Sequence, residues 1–119
     1  MITAGILAAA LFYALIGFSA LLRPERLLQG FGIAAEAADS RNEIRAVYGG
    51  FPLAVAGLLA FCLTGSPLSD GILLALALAS AGMAAGRLVS AAVDRRLGRN
   101  PAIFTALELI VAGLIAAGI

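Results

Sequence analysis

Between Ile2 and Leu22 the chain runs without a single charged side chain. A helix over that stretch is about 30 Å long, which matches the hydrocarbon core of a bilayer. Three more apolar stretches follow, from about Glu43 to Thr64, Asp70 to Val93 and Pro101 to Ile119. The composition agrees with a lipid solvent. Hydrophobic residues make up 62% of the 119 positions and charged residues 13%, against roughly 25% charged in an ordinary soluble domain. A water-soluble chain of this length could not cover so much apolar side chain. In lipid the outer face of each helix is itself apolar, and the difficulty disappears. The expected fold is all-α: a single membrane domain over residues 1–119, built as an antiparallel up-down four-helix bundle.

Local signals mark the ends of the spans. Arg23-Pro24 closes the first. Leu27, Leu28 and Phe31 then follow among charged residues, which predicts a short amphipathic segment lying along the interface, broken by Gly30 and Gly32. The polar stretch Glu36 to Asn42 leads into the second span. Gly65-Ser66-Pro67 is a turn, with Ser69 or Asp70 placed to cap the third helix. Asp94 to Asn100 is a short polar loop, and Pro101 suits a first helical position. The N-terminal stretch lacks a basic leader region and is long for a signal-peptide core, so it reads as a retained membrane helix.

The charges are one-sided. The basic residues are all Arg. Arg23, Arg26, Arg41 and Arg45 belong to the first loop, and Arg95, Arg96 and Arg99 to the third. Arg87 lies toward the same end of the third helix, and the second loop has none. The positive-inside rule makes the Arg-rich end cytoplasmic and puts both termini outside. A net charge of +1 gives no case for nucleic acid. There is no His, the one Cys (Cys62) sits in an apolar run, and no nucleophile, phosphate-loop or metal motif occurs. No cofactor and no metal is therefore expected.

Charges inside spans are costly, about 2.5–3.5 kcal/mol each at the helix centre on insertion scales. Arg87 precedes Asp94 by seven residues, and Glu108 follows Pro101 by seven. Both therefore lie about 10 Å inside the same surface, on antiparallel neighbouring helices. That depth match predicts a buried Arg87–Glu108 ion pair. Helical spacing adds Ser90 or Ala91, and Asp94, to the face of Arg87, and Phe104 or Thr105 to that of Pro101 and Glu108; it puts Arg41, Arg45, Tyr48 and Pro52 on one stripe of the second helix, with Glu43 at its mouth. The expected site is a polar pocket of Glu43, Arg45, Tyr48, Arg87, Ser90, Asp94 and Glu108. The structural alternative is that Arg45 snorkels, Tyr48 anchors at headgroups, Asp94 ends a helix and the ion pair only holds two helices together. For helix packing the candidates are Gly49, Gly50, Gly82 and Gly86. The last two form a small-xxx-small pattern, read as packing within the bundle in preference to a dimer face.

The segment Asn42-Glu43-Ile44-Arg45-Ala46-Val47-Tyr48-Gly49-Gly50 resembles the motif that opens the second helix of a family of small bacterial four-helix membrane proteins, the domain of unknown function 4345. Gly86-Arg87-Leu88-Val89-Ser90 is similar to its second motif, and Pro101 with Glu108 to its proline followed by an intramembrane glutamate. The resemblance covers almost the whole chain. It implies the fold and the membrane location, and it marks Glu43, Arg45, Tyr48, Arg87, Ser90 and Glu108 as characteristic positions, but it brings no activity.

Three functional readings follow. The first is a non-catalytic protein that binds a lipid or amphipathic small molecule in the polar pocket, with Arg45 and Arg87 at its headgroup and the far half of the bundle around its tail. The second is a structural or accessory subunit, packed in a homo-oligomer or a larger membrane complex. The third, least supported for want of a motif, is an enzyme acting on a lipophilic substrate. Membrane lipid is the expected surrounding partner in each.

Overall fold

A computed structural model describes residues 1–119. It contains helices and turns and no strand. Helix α1 spans Ile2–Leu22. A single turn, α2, spans Pro24–Leu27 with its proline at the first helical position. Helix α3 covers Ala38–Cys62, α4 covers Ser69–Asp94 and α5 covers Arg99–Ala116. All except α2 are long and apolar enough to cross a membrane.

The second long helix starts at Ala38, several residues before the Glu43 expected from hydropathy. Its polar first turns extend beyond the apolar run, and hydropathy does not register polar helix. The third does not use Ser69 or Asp70 as a side-chain cap. The Ser69 hydroxyl instead donates to the Cys62 carbonyl across the connecting turn, at 3.1 Å. The same carbonyl, at the end of α3, also accepts from the Gly65 N–H at 3.3 Å, so both bonds close the turn on it.

The helices pack as two intimate antiparallel pairs, α1 with α3 and α4 with α5, and the pairs meet each other less extensively. At the end carrying both termini the space between the pairs is filled by Ile6, Ala9, Val55, Leu59, Leu73, Ala77, Val111 and Ile115. At the Arg-rich end the second cluster, Ala20, Leu28, Ala35 and Ile44, joins only α1, the first loop and α3. Between the pairs on that side lies a cavity.

The α1–α3 pair depends on glycine. A Cβ on Gly17 would stand 2.6 Å from Leu53 Cγ and 2.9 Å from the Gly49 carbonyl oxygen. A Cβ on Gly49 would stand 2.8 Å from Leu21 Cδ2. Arg45 closes the same pair by donating from Nε to the Leu21 carbonyl at 3.1 Å. Gly82 and Gly86 correct the sequence reading. Both are exposed, and a Cβ on either would meet nothing within 4 Å. Gly50 is exposed as well, with only the Arg45 carbonyl oxygen near its Cβ position, at 3.9 Å. Spacing identifies small residues, but the rotation of a helix decides which face they occupy.

Between Arg45 and Gly50, α3 widens into a π-helical turn. Pro52 provides the cause. It has no N–H for the Tyr48 carbonyl four residues back, and its ring crowds that oxygen. A locally widened turn relieves the clash, and Gly49 and Gly50 bend easily enough to form it. The result turns Val47, Tyr48, Phe51 and Pro52 toward the cavity.

Candidate functional site

Glu108 is buried, at 1% exposure, in a chain whose other buried polar side chains are hydroxyls. A carboxylate in that position needs a partner. Arg87 supplies it from α4. Its Nε lies 3.1 Å from Glu108 Oε1 and 2.9 Å from Oε2, and its Nη2 lies 2.9 Å from Oε1. Planar guanidinium and planar carboxylate thus meet edge to edge, the strongest geometry for such a pair. It is the one ion pair in the molecule.

Two aromatic rings flank the guanidinium. Its central carbon stands 5.6 Å from the Phe31 ring centre and 5.5 Å from that of Phe104. The rings themselves are 5.3 Å apart at 58°. Their negative faces stabilise the half-buried cation. Phe104 comes from α5, one turn before Glu108. Phe31 comes from the first loop, which was expected to lie flat along the interface. It folds inward instead, with Leu28 buried against Ala20 and Ile44. Asn100 holds it there by donating from Nδ2 to the Gly30 carbonyl at 2.7 Å. Arg41 pins the loop's far end by donating to the carbonyls of Ala35 and Glu36.

Arg87 and Glu108 form part of the wall of the cavity, which encloses about 300 Å³. That is the small end of the range for small-molecule sites. Every long helix and the first loop contribute to its lining. Tyr13 sits on its α1 side, where its hydroxyl hydrogen-bonds Ser80 of α4. This bond ties the two helix pairs together, and no buried side-chain N or O lacks a partner.

The sequence-derived residues divide. Tyr48, Arg87 and Glu108 share the cavity. Glu43 lies outside it, exposed, in a shallow depression that shares the Tyr48 side chain. Arg45 is exposed and engaged with α1. Ser90 is exposed and lines none of the main cavities. Asp94 lines a wider polar cleft at the Arg-rich surface with Arg96, Arg99 and Asn100, and it makes no ion pair with Arg95 or Arg96. Sequence reasoning missed Tyr13, Ser80 and Phe31 as members of the site, while helical spacing offered Phe104 or Thr105 beside Glu108, and Phe104 is the one that lines the cavity. Ser80 left one signal, as the one hydroxyl near the middle of a long apolar run.

A family model described as Domain of unknown function (DUF4345) matches residues 1–118. The chain belongs to that family. Its site therefore spans elements of the family domain from end to end. No curated protein and no solved structure matches the chain.

Proposed function

We propose that this DUF4345 protein is a multi-pass protein of the bacterial inner membrane that holds a lipid-like or amphipathic small molecule in the cavity between its two helix pairs. One observation carries the reading: Arg87 lines an apolar cavity with hydrogen-bond donors to spare. A guanidinium carries about five N–H donors. Glu108 takes those on Nε and one side of Nη2, which leaves Nη1 without a protein partner. An apolar cavity with a few convergent polar groups is the usual form of a small-molecule site. The far half of the bundle is packed solid, so an apolar tail would leave sideways into the bilayer and not rise through the core.

Native mass spectra of the protein, extracted gently from its own membrane, test this. The expected result is a stoichiometric non-protein mass that is lost when Val47→Trp fills the cavity mouth. A bare chain would reject the reading. A second reading, an accessory or self-associating subunit, draws on the exposed Gly82 and Gly86, where another helix could approach closely. A stoichiometric second polypeptide in the same spectra would favour it.

All eight Arg lie at one end of the bundle, which supports a cytoplasmic placement of that end. In a Cys62→Ala background, Ser66→Cys is expected to react with an impermeant thiol reagent in intact spheroplasts. Arg96→Cys is expected to react only after lysis. The opposite pattern would invert the topology.

A further inference from the structure

Three properties of the cavity narrow the chemistry of what it holds, given the binding reading above. The first is charge. Arg87 and Glu108 neutralise each other, and no other ionisable group of ordinary charge lines the cavity. An anion or a cation entering here would bring an uncompensated charge into an apolar wall, which is costly. The second is hydrogen-bonding polarity. The unpartnered groups can both donate: the Nη1 hydrogens of Arg87, which cannot accept, and the hydroxyl of Tyr48, which can do either and makes no bond within the chain. The Glu108 oxygens are already engaged, and Tyr13 is bonded to Ser80. A fitting ligand offers acceptors.

The third is shape. The chain has six Phe and two Tyr. Phe12, Tyr13, Phe31, Tyr48, Phe51 and Phe104 all line this one cavity. The packed core at the termini end is otherwise aliphatic. Ring faces gathered around a small volume favour another flat ring, by stacking and edge contacts worth about 0.5–1.5 kcal/mol per pair beyond area burial. The mouth shows the route of entry. Val47 and Phe51 of α3 and Met83 of α4 line the cavity while 47%, 61% and 44% exposed. They form an apolar rim between α3 and α4 that faces the side of the bundle.

We infer that the ligand is an uncharged planar ring bearing carbonyl-type acceptors on an apolar tail, the chemistry of a membrane quinone, which enters from the bilayer between α3 and α4. The ring lies among the aromatic side chains with an acceptor toward Arg87 Nη1 and Tyr48. The tail passes over the rim of Val47, Phe51 and Met83.

Isothermal titration of the full-length protein in mild detergent tests this, with a decyl-substituted benzoquinone as one probe and dodecanoate as the other. The benzoquinone is expected to bind saturably at one site per chain, and dodecanoate is expected neither to bind nor to displace it. Tyr48→Phe should weaken benzoquinone binding about fivefold, the effect of one hydrogen bond. Val47→Trp should abolish it, with the thermal midpoints of both variants close to that of the parent. If dodecanoate binds in place of the quinone, the ring assignment fails and the amphipath reading stands. If neither probe binds and no native mass is retained, both fail. Benzoquinone binding that survives Val47→Trp places the ring elsewhere and overturns the inference.

Discussion

Replacing Glu108 with Met is expected to cost up to about 3 kcal/mol of stability, because it strands a half-buried guanidinium. Arg87→Met should be the more damaging of the two single changes. A freed Arg87 keeps the faces of Phe31 and Phe104 and is 23% exposed, and its long stem can bend toward the interface. A freed Glu108 side chain is 2% exposed, too short to reach the surface, and has no hydrogen-bond partner other than Arg87. The double variant Arg87→Met/Glu108→Met should recover most of the loss, since an apolar pair of similar volume often replaces a buried ion pair at little cost. Thermal midpoints in detergent for the four proteins complete the cycle. Additive losses in the double variant would mean that the two residues act independently and that the pair holds nothing together. The recovered double variant also separates stability from binding, because it keeps the fold while removing the Nη1 donors.

The second large effect is expected at Gly17, a residue without any functional signal. Gly17→Val places carbon atoms against Leu53 and the Gly49 backbone, and a backbone oxygen cannot rotate away. Overpacking of this kind costs about 1–3 kcal/mol. Here the value should lie at the upper end, because α1 and α3 would have to separate along the whole of their contact. Gly82→Ala is the matched control. Open space surrounds it, and helix propensity favours Ala by up to about 1 kcal/mol. Its midpoint should hold or rise. A large loss at Gly82 in the purified protein, with Gly17→Val tolerated, would show that the glycine pattern in α4 is the close contact and that the one in α1 is not.

The contrast between Gly17 and Gly82 explains how far the site could be read in advance. Spacing singles out Gly82 and Gly86, but lipid-facing and core-facing residues of these helices are equally apolar. In water, an amphipathic stripe would have shown which face turns inward. Here α1 has Leu, Ile, Phe and Ala on every side, and nothing in its pattern singles out the face that carries Tyr13 and Gly17. For the same reason the Tyr13–Ser80 bond, which joins the first and third long helices, could not be foreseen. The ion pair escapes this limit. Depth along a helix follows from counting residues, and two charges at one depth on antiparallel neighbours have few other partners.

The amino-acid sequence by itself determined the four apolar helices, the gathering of Arg at one end, the family, and the depth at which Arg87 and Glu108 meet. Each of these is a property of length, composition or rise along one helix. Only the tertiary structure decided that the first loop folds inward to set Phe31 against Arg87. It also decided that a π-helical turn before Pro52 aims Tyr48 into the same space, and that Arg45, Ser90 and Asp94 stay outside it. These depend on how each helix is rotated about its axis. In a chain apolar on all sides, that rotation is chosen by side-chain fit between helices and by the few hydrogen bonds that cross them.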